Sequence, residues 1–223
     1  MKELKNIKNI LFDLDGVLYQ DLESVFGQVS NRMTEYISKK LNLNLKKAKE
    51  LQTNYFHKYN TSLNGLMIHH KIDPENFLNY VHDINLNVIK EDLELNNELT
   101  KLKAKKYCYT NGSRSHALNV LGRLGIIDQF DGIFDIVDAN YVPKPVMEPY
   151  KIFVKKFTIN PEEAVFVEDI AQNLKSPKEL GMKTVWLENE EAWGKKHSDK
   201  NFIDLKIKKL SSFLKEINIL KVA

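Results

Sequence analysis

The stretch "NILFDLDGVLY", Asn9 to Tyr19, joins an apolar run that reads as a buried strand to two aspartates, Asp13 and Asp15. A buried strand keeps carboxylates out of its interior, because an unpaired buried charge costs several kcal/mol or more. Either the strand has ended by Asp13, or the two carboxylates are held there for chemistry. Asp15-Gly16 alone would mark a plain turn; a turn has no need of Asp13.

Working outward, short apolar runs recur at Ile10–Leu14, Tyr107–Tyr109, Ile133–Val137, Val165–Val167 and Thr184–Leu187, alternating with helical patterns. Near-continuous apolar strands between helices predict an α/β fold, a Rossmann-like parallel sheet with helices on both faces. In such sheets ligands gather at the carboxyl ends of the strands, which is where Asp13 and Asp15 sit. The interval from about Leu22 to Ile89 lacks a convincing strand. It carries helical segments at Ser24–Leu41, Leu45–Tyr59, Ser62–His70 and Pro74–Asp83, and Val25, Val29, Met33, Ile37 and Leu41 mark one apolar face. The expected organisation is a core of residues 1–20 and 90–223 with a small α-helical cap, residues 21–89, inserted after the first strand. After Phe202, the residues Leu205, Leu210, Phe213, Leu214 and Ile217 read as an amphipathic helix packed on the sheet.

Bulk properties bound the function. The 223 residues suffice for one substantial domain with an insertion. No apolar run approaches the roughly 20 residues of a membrane span, and the polar start "MKELKNIKN" is unlike a signal peptide. A single cysteine, Cys108, excludes an internal disulfide and fits a reducing, cytoplasmic setting. The net charge of +3 comes with lysines scattered along the chain, not gathered as in a nucleic-acid binder, so no nucleic-acid polymer is expected as partner. The neutral expectation for assembly is a monomer or homodimer.

A second strand ends in acid at "AVFVEDIAQN", with Glu168 and Asp169. Two parallel strands ending in carboxylates gather three or four negative oxygens in one cleft, and a hard divalent cation such as Mg2+ is the economical way to hold them. "YCYTNGSRSHAL" ends a strand at Thr110-Asn111-Gly112 and begins a helix near Ser113. A hydroxyl, free N–H groups and a helix N-terminus suit a phosphate; ordinary capping by Asn111 or Ser113 is an equal reading. "YVPKPVMEPY" fixes Lys144 between prolines, where a stiffened backbone could hold its ammonium beside the carboxylates and an anionic ligand. His57, His69, His70 and His82 lack zinc spacing and read as solvated or packed. Cys108 reads as core. Neither nucleotide-loop fingerprint nor a nucleophile elbow is present.

Taken in order, Asp13-x-Asp15, Thr110, Lys144 and Glu168-Asp169 resemble the four motifs of the haloacid dehalogenase-like superfamily, over Asn9 to about Leu187. The resemblance implies Asp13 as nucleophile and Asp15 as acid/base, as in the phosphatase branch; the dehalogenase branch lacks the second Asp. It implies Lys144 as a catalytic cation, Thr110 and Asn111 on the phosphate, and Mg2+ held by Asp13, the Asp15 carbonyl, Asp169 and Glu168. The wording "FDLDGVLY", "YFHKYNTSLNGLM", "YVHDI", "TNGSRSHALNVLGRLGI", "FDGIFDIVDANYVPKP" and "LGMKTVWL" is similar to the pyrimidine 5'-nucleotidase family of that superfamily, although Gly16-Val17 stands where members often have Asn-Thr. That implies hydrolysis of UMP- or CMP-type monophosphates. Another small phosphate ester such as a sugar phosphate, or a phosphomutase reaction, is the alternative. In the cap, Tyr55, Tyr59 and Asn64 are candidates for reading the base, and packing of the two tyrosines within the cap is equally open.

Overall fold

The computed structural model describes residues 4–19 and 21–222. Residues 1–3, 20 and 223, which include the boundary expected at residue 20, lie outside the described residues. The six strands β1 (Asn9–Phe12), β2 (Lys105–Tyr109), β3 (Gly132–Phe134), β4 (Ala164–Glu168), β5 (Lys183–Leu187) and β6 (Leu205–Ile207) form one sheet, ordered β3-β2-β1-β4-β5-β6. Every pairing is parallel. The chain runs outward from β1 to β3, then returns to the other side of β1 at β4. In an open parallel sheet such a switch, here at the carboxyl ends of β1 and β4, is where the ligand crevice forms.

The alternation within strands explains why both faces are covered. Ile10, Phe12, Cys108, Val165, Val167, Val185 and Leu187 belong to one buried apolar cluster; Leu11, Tyr107, Tyr109, Phe166 and Trp186 belong to another. Successive side chains of a strand point to opposite faces, so the sheet is apolar on both sides. The first cluster includes Leu95 and Leu99 of α5 (Leu93–Lys101), Ala117, Val120 and Leu121 of α6 (Arg114–Arg123), and Leu214 and Ile217 of α10 (Leu210–Val222). The second includes Tyr150 and Phe153 of α7 (Met147–Phe157) and residues from the helical segment. Cys108 is buried as expected.

Between β1 and α5 lie α1 (Leu22–Leu41), α2 (Leu45–Tyr59), α3 (Ser62–His70) and α4 (Pro74–Val81). Each starts on a capping side chain, Asp21, Asn44, Thr61 and Asp73, which accepts a hydrogen bond from a first-turn N–H. Pro74 occupies the first turn of α4, where its missing N–H costs nothing. These helices match the expected segments closely. Two short helices, α8 (Lys175–Glu179) and α9 (Ala192–Lys195), follow β4 and β5.

Two sequence expectations are corrected. The strand expected at Ile133–Val137 stops at Phe134, because the Asp135 carboxylate accepts from Arg114 N (2.8 Å) and Asp138 N (2.9 Å) and turns the chain. Leu205, expected in the C-terminal helix, lies instead in β6, paired with Val185 of β5.

Candidate active site

Asp13 follows the last residue of β1, and its N–H donates to Val167 O of β4 (3.0 Å), so the chain is still tied to the sheet there. Its Oδ1 accepts from Leu14 N (2.8 Å) and from Lys144 Nζ (2.8 Å). Lys144 Nζ also donates to Glu168 Oε2 (2.7 Å) at the end of β4 and to Tyr109 O (3.3 Å) at the end of β2. Its own N–H is held by Asn111 Oδ1 (3.0 Å). Lys144, Asp13, Glu168 and Asp169 are all buried. The sequence therefore brings together at one crevice what it distributes over more than 150 residues.

The charge balance of this cluster is informative. Asp13, Glu168 and Asp169 each offer a carboxylate oxygen within 4.8 Å of the others, against the single ammonium of Lys144. Burial, then the neighbouring Glu168, pushes Asp13 well above the usual carboxylate range. Burial and the Asp13 charge push Asp169 up to about 7. Burial alone would push the Lys144 ammonium down, but Asp13 and Glu168 outweigh it and hold it above the lysine range. Three carboxyls facing one ammonium are thus held back from ionising together, and a divalent cation would favour their charged forms.

The donor set fits such an ion. Asp169 Oδ1 is buried without a hydrogen-bond partner, while its Oδ2 accepts from Asn189 Nδ2 (2.7 Å). A buried acceptor is rarely left unpaired in a native fold. Gly16, at φ +87°, packs so closely on this carboxylate that a Cβ would lie 2.3 Å from Asp169 Oδ2. Glu168 is differently committed: Oε2 meets Lys144 and Oε1 accepts from Ile170 N (3.1 Å).

Asp15 stands apart from that cluster. Its Oδ1 accepts from the Tyr19 hydroxyl and from His116 Nε2 (3.1 Å), and no described residue bonds its Oδ2. Burial pushes this carboxyl up, but His116 and the Tyr19 hydroxyl together bring it below the usual range. Thr110 is buried after β2, its Oγ1 accepting from Gly112 N (2.8 Å). Of the two capping candidates, Ser113 is the N-cap of α6, accepting from His116 N (3.3 Å). Asn111 is instead the anchor of Lys144.

The helical segment contributes a residue that sequence reasoning left aside. His82, at the C-terminus of α4, bonds Ser113 Oγ through Nδ1 (2.8 Å) and stacks on His116 with ring centroids 4.4 Å apart and planes 13° apart. The expectation that His82 is solvated or packed is met in the second sense, yet its packing partner touches Asp15. Burial, helped by His116, pushes the His82 imidazole down to about 3, so the ring is neutral at ordinary pH. His57 is exposed. His69 and His70 are exposed and bond the hydroxyls of Tyr59 and Tyr55.

Tyr55 and Tyr59 meet edge to face on α2, and Asn64 of α3 donates to Tyr59 O (3.1 Å). Among the described residues, their polar partners lie inside the helical segment. Asn60, next to Tyr59 in sequence, bridges to the core, its Oδ1 accepting from Gln172 Nε2 (3.5 Å) just past β4. Among the described residues, no helix is long and apolar enough to cross a membrane.

The chain and its fold are similar to those of known proteins. The chain is 29% identical over 195 residues to a glyceraldehyde 3-phosphate phosphatase of Methanocaldococcus jannaschii, covering 80% of this chain and 84% of that one. It is 26% identical over 191 residues to "Phosphate metabolism protein 8" of Saccharomyces cerevisiae, covering 78% of this chain but spanning only 60% of the yeast protein. Among solved structures, a phosphatase from Thermococcus onnurineus superposes with a TM-score of 0.61 at 22% identity, over 95% of this chain and 98% of that one. A 2-haloacid dehalogenase from Pseudomonas syringae gives 0.60 at 18% identity, over 97% and 100%. At such identities these two superpositions speak for the fold alone. The family model for haloacid dehalogenase-like hydrolases matches residues 7–181, and the chain belongs to that family.

Proposed function

We propose that this hydrolase is a phosphomonoesterase that works through an aspartyl-phosphate on Asp13, with pyrimidine nucleoside 5'-monophosphates of the UMP and CMP type as substrates. The observation that carries the reading is the division of labour between the two aspartates. Asp13 lies in the acid-rich end of the crevice beside the Lys144 ammonium, and Asp15 is bonded instead by Tyr19 and His116.

In the first half-reaction an Asp13 oxygen attacks phosphorus, the ester P–O bond breaks, and Asp15 gives its proton to the leaving oxygen. In the second, water attacks phosphorus, Asp15 takes a proton from it, and the Asp13 acyl phosphate breaks to release phosphate. An arriving phosphate brings negative charge beside Asp15, which disfavours its carboxylate and favours the protonated form the first step uses. Lys144 holds Asp13 Oδ1 and adds positive charge, and Thr110 with the Asn111 N–H binds phosphate oxygens. Asp13, the Asp15 carbonyl and Asp169 would hold Mg2+, with Glu168 direct or through water, and the bound ion would offset the repulsion between carboxylate and phosphate. Positioned charge of this kind is the expected main source of rate enhancement for phosphoryl groups.

Residues 21–89 serve in this reading as a cap that excludes water and reads the nucleoside through Tyr55, Tyr59 and Asn64. A second reading, hydrolysis of a triose or sugar phosphate, is favoured by similarity to the archaeal phosphatase. The enzyme acts on small phosphate esters in either case, as a soluble cytoplasmic monomer or homodimer. Phosphate release from UMP, CMP, dUMP, AMP, GMP, glyceraldehyde 3-phosphate and sugar phosphates, with Mg2+ and with EDTA, tests this. The expected result is Mg2+-dependent release from the pyrimidine monophosphates. Release from the triose phosphate alone would keep the core chemistry and overturn the substrate assignment.

A further inference from the structure

Asp15 Oδ1 receives two donors from two different elements, the Tyr19 hydroxyl from the loop after β1 and His116 Nε2 from the first turn of α6. Oδ2 receives none from the described residues. His116 is buried, and its other ring nitrogen, Nδ1, is buried without a partner. Nδ1 has no acceptor to give a proton to, so Nε2 is the ring nitrogen that donates to Asp15 Oδ1. The ring plane is fixed from behind by His82, stacked at 4.4 Å and itself tied to Ser113 Oγ, the N-cap of the same helix.

We propose that Tyr19 and His116 clamp Oδ1 of Asp15, so that the proton exchanged with the leaving group and with water travels through Oδ2. His82 is the buttress by which the helical segment holds that clamp in register. Tyr19, His116 and His82 are positioning residues: they act through Asp15. The inference rests on the phosphomonoesterase reading and adds to it which Asp15 atom moves the proton and what aims it.

A clamp on the general acid has a signature that a purely structural role lacks. Protonation of the leaving oxygen matters most when that oxygen is a poor leaving group. The test measures kcat/KM, which reports the first phosphoryl transfer, for wild type and variants on phenyl phosphate and on p-nitrophenyl phosphate. His116→Ala is expected to lose about 10²-fold on phenyl phosphate, within the usual range for general acid–base catalysis, and far less on p-nitrophenyl phosphate. Tyr19→Phe and His82→Ala shift the ratio in the same direction by smaller factors. His116→Gln, whose amide can place a donor where Nε2 stands, restores most of the loss. Asp15→Asn sets the upper limit of the leaving-group effect.

Equal losses on both esters in folded His116→Ala and Tyr19→Phe, or no loss in either, would overturn the clamp. If His116→Ala fails to fold, Tyr19→Phe and His116→Gln carry the same comparison. Wild-type turnover with a flat response in the variants overturns the clamp only. Absence of wild-type turnover on both aryl esters and on the substrate panel overturns the phosphomonoesterase reading, and the clamp with it.

Discussion

Asp13 and Lys144 are 131 positions apart in sequence and 2.8 Å apart in space, and the site is made of such pairs. The acidic strand ends were legible because a charge at the end of an apolar run is costly unless it is used, and because Asp13, Asp15, Thr110, Lys144, Glu168 and Asp169 occur in a recognisable order. Tyr19 and His116 were not legible. Each looks like ordinary loop or helix composition, and only the fold brings the two rings to one oxygen of Asp15. The usable signal was register: His116 stands three residues after the N-cap Ser113, so it lies on the first turn, close to the strand ends. His82 carries a prediction at this scale. Its imidazole titrates at about 3 when folded and near 6.5 when unfolded, beside His116 and Asp15. Between those values the unfolded chain binds a proton that the folded chain does not, so stability rises with pH across the window. From about pH 6.5 down to about pH 5, wild type should lose more stability than His82→Gln in urea unfolding at matched salt. Parallel losses in the two proteins would contradict the neutral, packed ring.

At the scale of elements, strands β1, β2, β4 and β5 and helices α1 to α4 followed from apolar runs, helical periodicity and capping residues. Strand β6 did not, because "LKI" is three residues long and carries a lysine between two apolar residues. That pattern suits a short edge strand, where charge discourages further pairing, and it is too brief to show a period. The shortening of β3 was likewise invisible, since it depends on Asp135 bonding N–H groups of Arg114 and Asp138. The contact between α2 and α3 turns on one glycine: a Cβ at Gly65 would lie 2.5 Å from the Tyr55 ring. Gly65→Ala must move that ring or part the helices. Overpacking of this kind typically costs about 1–3 kcal/mol, so the melting temperature should fall. If Tyr55 also contributes to reading the substrate, KM for the preferred monophosphate rises, while kcat/KM on p-nitrophenyl phosphate stays close to wild type. An unchanged melting temperature would show that the helices yield without cost.

At the scale of the molecule, a doubly wound parallel sheet presents its strand ends at the switch between β1 and β4, and the buried charges of Asp13, Lys144, Glu168 and Asp169 gather there. The helical segment meets that crevice through His82 on Ser113 and His116, and through Asn60 beside Gln172. The strand ends thus mark both the fold class and the acidic cluster, whereas the surfaces of the helical segment carry no comparable sequence constraint. That is why the core residues were readable, while Tyr55, Tyr59 and Asn64 were candidates by location alone. The central claim is that Asp13 forms a covalent phosphoryl intermediate. The most direct measurement is to mix enzyme, Mg2+ and an excess of a substrate found in the panel, quench within the first turnovers, reduce with borohydride, and map the modified peptide by mass spectrometry. An acyl phosphate on Asp13 predicts conversion of that side chain to the homoserine alcohol, absent in Asp13→Asn, which should also lack turnover. Modification at another carboxylate, or turnover by Asp13→Asn near the wild-type rate, would contradict the account.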